Sequence, residues 1–281
     1  MAKKVVSVYG DISIKSPFNS DQLIIEIGNH HIACLVKLSV KGELAAVEVY
    51  SFNSNEDEWY DIFQDIRQKS KILNRGFIDT RVYFNLPESV LIPSNLYSEA
   101  SANEYLQLIH GDTINQVIKS EAVNVVPSIT VATKIKRGLI DAVNSNLMMI
   151  TTHNTYALFV ENLLSPSRVY NHILLKVQLY TGEMLVGLLY NNKLQIVQLY
   201  AQETPEDILY HLLNVLEQHN LKAEETTLEL SGYIEIKTPL YENIKKVFPR
   251  ITFDMPSDDI IKLHDFTKYP KHYLTPFLNL T

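Results

Sequence analysis

The chain has 281 residues, 46% hydrophobic and 20% charged, and a net charge of −7, enough for one large core or two ordinary ones. That charge excludes the basic groove with which nucleic-acid binders displace counterions. No run approaches the roughly 18 apolar residues of a membrane span. The start, Met1-Ala-Lys-Lys4, meets Asp11 too soon for a signal-peptide core, and a cytoplasmic protein is expected.

Residues 1–21 read as an arm with one edge strand, ending in Ser16-Pro17-Phe18-Asn19-Ser20-Asp21. Leu23–Ile27 is a strand, and Gly28-Asn29 supplies a turn, since both residues tolerate positive φ. A second strand over 31–40 puts Ile32, Cys34, Val36 and Leu38 on one face, Lys41-Gly42 turns the chain, and 43–52 form a third strand. Asn53, Ser54 and Asn55 have turn and N-cap chemistry before a helix striped by Trp59, Ile62, Phe63 and Ile66. Arg81–Phe84 and Val90–Pro93 are further strands. Glu99–Ile109 is predicted helical with Tyr105, Leu106 and Ile109 apolar, 123–132 extended around Pro127, 139–143 a short helix and 147–150 a strand. Thr152 is the expected cap of a helix carrying Tyr156, Phe159, Val160 and Leu163, and Ser165-Pro166-Ser167 is the expected linker.

The second half restarts at once. Ile173–Leu179, Met184–Tyr190 and Leu194–Tyr200 are strands joined at Thr181-Gly182 and Asn191-Asn192. Thr204-Pro205-Glu206 has a cap, a proline at the first helical position and an acid in the first turn. The helix it opens carries Leu209, Leu212, Leu213 and Leu216. Thr227–Leu230, a helix over 239–248 and Ile251–Phe253 follow. The tail 258–281 is rich in Tyr, Phe and Leu and is expected to pack. The order of elements at 22–68 thus returns at 172–218, and both the Lys41/Asn191 turns and the Trp59/Leu209 stripes are offset by 150 residues.

Three hairpin-linked strands, a helix, then strand–helix–strand, present twice, resemble the ribonuclease-H-like domain duplicated as in the actin-like ATPase superfamily. More narrowly the chain is similar to a family of uncharacterised bacterial proteins of actin-like fold, down to the C-terminal segment His272-Tyr-Leu-Thr-Pro-Phe-Leu278. The resemblance implies an α/β protein of two tandem ribonuclease-H-like domains, with mixed sheets flanked by helices, at residues 1–166 and 167–281.

It also implies a nucleotide site between the domains, with one hairpin turn from each around the phosphates. Gly admits backbone N–H groups to phosphate and carboxylates hold hydrated Mg²⁺. The first hairpin offers Glu26 where the family places Asp, then Gly28 and Asn29. The competing reading of Glu26 is an exposed strand carboxylate opposite Leu23, Ile25 and Ile27. The second hairpin offers Gln178, uncharged where Asp is expected, then bulky Tyr180, Thr181 and Gly182, with Glu183 displaced towards the next strand. The family's Gly-Gly pair for adenosine is reduced to Gly232, followed by Tyr233, whose ring is expected to close the site.

Other constellations point less far. His30 and Cys34 share a strand face with no third ligand, while the adjacent His31 points away. No metal site is expected, and Cys34 reads as a small buried hydrophobe. His110/Asp112 and His264/Asp265 are acid–base pairs without a supporting motif. Tyr170, Tyr180, Tyr190 and Tyr200 recur every ten residues and suggest a shared surface, or edge-of-core tyrosines. The expectation is a non-catalytic scaffold or protein-interaction module, with another protein as partner and neither nucleic acid nor cofactor. An ATP-binding enzyme or switch using Mg²⁺ is the alternative. A nuclease would need clustered carboxylates, for which only Glu26, Glu48 and Glu229 stand near central strands.

Overall fold

A computed structural model describes residues 1–10, 18–39, 42–53, 59–112, 114–165, 173–256 and 268–281, with the side chains of 18–20 omitted. Of the expected features, Lys41, Ser54, Asn55, Pro166, Ser167, Tyr170, His264 and Asp265, with parts of the arm and tail, lie outside the described residues. The chain divides within one helix: Met1–Leu158 with Lys268 and Leu280–Thr281 form the first unit, and Phe159–Pro256 with Tyr269–Asn279 the second.

The first unit holds a six-stranded sheet of β1 (Lys3–Tyr9), β2 (Phe18–Gly28), β3 (His31–Lys37), β4 (Leu44–Ser51), β5 (Gly76–Asn85) and β9 (Ile150–Asn154), in the order β1-β4-β3-β2-β5-β9. β2, β3 and β4 are antiparallel neighbours, whereas β5 runs parallel to β2 and β9 parallel to β5. The arm's strand β1 pairs with β4 at the edge. α1 (Trp59–Lys69) and α3 (Arg137–Asn146) cover one face, burying Trp59, Phe63, Ile66, Leu139 and Val143 against Ile25, Cys34 and Val82.

Glu48 lies on this covered face of β4, opposite Cys34. It accepts from Lys4 Nζ (3.0 Å), Tyr50 Oη (2.9 Å), Ser70 Oγ (2.5 Å), the Lys71 N–H (2.9 Å) and Tyr9 Oη. Burial pushes its pKa up, but donation from Ser70, Tyr9, Lys71 and Lys4 outweighs burial and holds it below the usual carboxylate value. One carboxylate thereby ties the edge strand and the loop after α1 to the sheet.

Between β5 and α3 the chain builds a second layer, β6 (Ser89–Pro93), α2 (Glu99–His110), β7 (Gln116–Val123) and β8 (Ile129–Lys136), with sheet order β6-β8-β7. The extended stretch expected over 123–132 is therefore a hairpin turn with a cis Val126-Pro127 bond leading into β8. α2 buries Ala102 and Leu106 and leaves Leu108 and Ile109 exposed. The strand expected at 147–150 lies later, as β9, and Met149 holds a positive φ of 49° before it. Thr152 sits inside β9 rather than capping α4 (Thr155–Leu163).

The second unit repeats the strand order with β10 (Ile173–Leu179), β11 (Glu183–Tyr190), β12 (Lys193–Ala201), β13 (Thr226–Gly232) and β14 (Arg250–Phe253), arranged β12-β11-β10-β13-β14. β13 is parallel to β10, and β14 to β13. Asn191 and Asn192, at φ 50° and 59°, make the tight β11–β12 turn. α5 (Pro205–Gln218) is capped by Thr204, whose side chain accepts from the Asp207 N–H. It buries Ile208, Leu212, Val215 and Leu216, while Leu213 is 38% exposed. The helix is thus rotated from the expected stripe, because Leu209 and Leu213 flank the buried face. α6 (Pro239–Val247) lies on the same face through Ile244.

Candidate functional site

In the first unit the hairpin residues gather on the sheet face opposite the α1/α3 core. Alternation along β2 sends Ile25 and Ile27 to that core and Glu26 to the other side. Glu26 is fully buried, which overturns the exposed-carboxylate reading. Its Oε2 accepts from His31 Nε2 at 3.2 Å and its Oε1 from Thr155 Oγ1 at 2.8 Å. Gly28 does not hold a positive φ, contrary to expectation. It is glycine for space: an added Cβ would lie 2.3 Å from the His31 ring. Asn29 and His30 make the half-buried turn. Paired with Gly28 at the end of β5 is Asn85, fully buried, whose amide has no hydrogen-bond partner among the described residues.

Cys34 is buried in the core, and its thiol pKa is pushed up by burial and by the Glu48 charge. Among the described residues no three His, Cys, Asp or Glu side chains group to hold a metal ion. Glu26 and Glu48 occupy opposite faces of one sheet, so they cannot share a cation.

In the second unit the hairpin between β10 and β11 is closed by side chains. Gln178 is buried and accepts from Tyr180 Oη at 3.1 Å. Tyr180 is buried edge-on against Phe277, ring centroids 5.7 Å apart. Gly182, at φ 73°, completes the turn with half-buried Thr181, and Gln202 Nε2 donates to the Tyr180 and Glu183 carbonyls at 3.0 and 3.1 Å. Glu183 begins β11 and is buried.

At the end of β13, Gly232 adopts φ 84° with the Leu179 carbonyl 2.0 Å from where a Cβ would stand. No other residue fits there. Tyr233 N donates to that carbonyl at 2.9 Å, and its ring meets Tyr273 at 6.0 Å and Phe277 at 6.3 Å. The C-terminal segment, a short 3-10 turn at Lys271–Tyr273 and α7 (Thr275–Leu278), is pinned across these strand ends. His272 Nε2 donates to the Ile234 carbonyl and Thr275 Oγ1 to the Asp254 carbonyl, both at 2.8 Å. Burial holds the His272 pKa below the usual histidine value, partly offset by that bond to Ile234. The C-terminal ends of parallel strands are where α/β sheets bind ligands. Here Tyr180, Tyr233 and Phe277 fill that position on this unit.

The sequence reading missed three partners. Asn85 carries no motif and meets Gly28 only through strand pairing, and Thr155, at the start of α4, reaches Glu26 only through its side-chain hydrogen bond. Phe277 was visible as part of an aromatic tail but not as the ring beneath Tyr180. The fourth miss is an ion triad: Lys176, fully buried on β10, donates to Glu229 Oε1 of β13 at 2.5 Å and to Asp254. Glu229 is thereby neutralised by a lysine. The three recurrent tyrosines among the described residues do not share a surface: Tyr180 is buried, Tyr190 is exposed at a hairpin end, and Tyr200 stacks on His211 at 4.7 Å. Their spacing reflects strand length.

Comparison with curated proteins gave no significant match. Among solved structures, a Bacteroides thetaiotaomicron protein with actin-like ATPase fold and unknown function is similar, with TM-score 0.76 and 13% identity over 96% of this chain and 99% of that one. The PilM-PilN type IV pilus biogenesis complex is similar with TM-score 0.63 and 12% identity over 92% of this chain and 97% of that one. These likenesses show the actin-like ATPase fold. The family model described as "Protein of unknown function (DUF3822)" matches residues 15–251, and the chain belongs to that family.

Proposed function

We propose that this protein is a non-catalytic interaction module of the cytoplasm that uses an actin-like frame, arising by internal duplication, to hold a protein partner. One observation carries the reading: on the second unit the hairpin that would face phosphate is covered by Tyr180, itself held by Gln178 and Phe277. A neutral amide stands where a carboxylate would hold hydrated Mg²⁺, and an aromatic ring stands where backbone would meet phosphate. That a protein of similar fold occurs in the PilM-PilN complex supports the same reading.

The test is titration of the full chain with Mg-ATP by calorimetry and thermal shift. A ligand at 100 times its Kd stabilises a protein by about 2.7 kcal/mol, well within detection. No heat and no shift at millimolar Mg-ATP are expected; saturable binding or turnover would refute the proposal.

A second reading has one observation in its favour. The buried, unpartnered Asn85 amide beside Gly28 suits a small polar ligand. An ATP-binding switch would use Glu26, Gly28 and Asn29 there.

A further inference from the structure

α5 and α6 both pack on the second unit's core, and residues of their N-terminal halves face one groove. The space between them is a groove of about 680 Å³. Leu209, Tyr210 and Leu213 of α5 form one wall and Leu240 of α6 the other, with Tyr233 and Tyr273 at one end. Tyr210 is 65% exposed and Leu213 38% exposed, so the apolar wall continues outward onto the helix surface. Positions 209, 210 and 213 are spaced as one helix face. An exposed apolar row of this kind on a soluble domain marks a docking surface.

The charges choose the occupant. Among the described residues, Glu206 and Glu235 are the only ionisable carboxylates lining the groove, and no lining residue is cationic. The two helix N-termini at this end bring partial positive charge, but Glu206 and Asp207 in the first turn of α5 and Glu242 in that of α6 offset it. Glu235 also accepts from Tyr273, whose hydroxyl pKa is pushed up to about 12 by burial and this acceptor. A phosphate-bearing ligand would find no cation here. Apolar side chains flanked by Lys or Arg would find leucines, tyrosine faces and carboxylates.

We propose that this groove docks a short amphipathic helix of a partner protein, with apolar anchors at i, i+3 or i+4 and i+7 and basic residues beside them. The proposal rests on the reading of the protein as an interaction module and gives that reading a surface.

The experiment selects a displayed random peptide library against the full-length protein, then measures the recovered peptides as fluorescent synthetics. Tyr210→Glu and Leu213→Glu each place a charge on the groove wall without touching the core, and Glu206→Lys with Glu235→Lys reverses its charge. The expected result is enrichment of basic amphipathic peptides that bind either wall variant about 10-fold or more weakly. The same peptides should lose affinity for the charge-reversed protein, and thermal melts should match the parent's. Failure to enrich any peptide, enrichment of acidic peptides, or binding indifferent to all three variants would overturn the groove. Peptides bound elsewhere would leave the interaction reading standing, whereas displacement of the peptide by Mg-ATP would remove that reading itself.

Discussion

Lys176→Met is the most searching test of how the second unit is built. The ammonium is fully buried and holds Glu229 at 2.5 Å and also Asp254, bridging β10 to β13 and to the residue after β14. At an effective dielectric of about 20, unit charges 4 Å apart interact by about 4 kcal/mol. Methionine fills similar volume but removes two such attractions and leaves one repulsion between carboxylates, against which the desolvation cost of the ammonium is recovered. Breaking a buried ion pair from one side costs about 3–5 kcal/mol for this reason. With a urea m-value of roughly 2 kcal/mol/M the midpoint should fall by about 2 M. Urea denaturation followed by circular dichroism reads the midpoint. Hydrogen exchange should place the loss in β10 and β13 and spare β2 and β5. Adding Glu229→Gln and Asp254→Asn should recover part of it, because neutral amides tolerate burial better than unpaired charges. A midpoint for Lys176→Met within about 0.5 M of the parent, or exchange rising first in β2, would refute the argument.

Gly232→Ala should destabilise by about 2 kcal/mol or more, since the methyl meets the Leu179 carbonyl at 2.0 Å and φ is 84°; a thermal melt within 1 °C of the parent would contradict this. Phe277→Ala removes the ring beneath Tyr180 and Tyr233 and should cost about 3–5 kcal/mol, read as a lowered urea midpoint with faster exchange at residues 271–278. The His272 pKa is depressed in the fold, so its contribution is present above the ordinary histidine value and fades as pH falls below it. Protection factors at 271–278, corrected for the intrinsic exchange rate at each pH, should therefore fall between pH 7.5 and 5.5, and His272→Phe should abolish that dependence. Glu48, also depressed, contributes stability above the ordinary carboxylate value that is lost on acidification through its lower folded pKa. Glu48→Gln should flatten the pH 5 to 3 limb of the stability curve, and an unchanged limb would count against the network.

What was legible in the sequence was whatever local chemistry dictates. Alternation at Leu23–Ile27 and Ile173–Leu179, the Asn191-Asn192 turn and the Thr204-Pro205 helix start each follow from side-chain period, φ preference or capping, and each stands as expected. Repetition of that order was enough to point to two units with matching sheets. The middle was harder, because β7 is only half-buried and β8 buries the polar Thr130, Thr133 and Lys134 among its apolar residues, so polarity hides the period. The chemistry at the strand ends was decided by tertiary structure alone. Glu26 is polar on a strand, and only the fold brings Thr155, 129 residues away, to bury it. Gly28 looks like a turn glycine, and only the His31 ring shows that it is there for space. Tyr180 and Phe277 are almost a hundred residues apart in sequence, and a contact between such residues has no local signature. Periodicity records which face a residue shows; it cannot record which distant side chain meets it there.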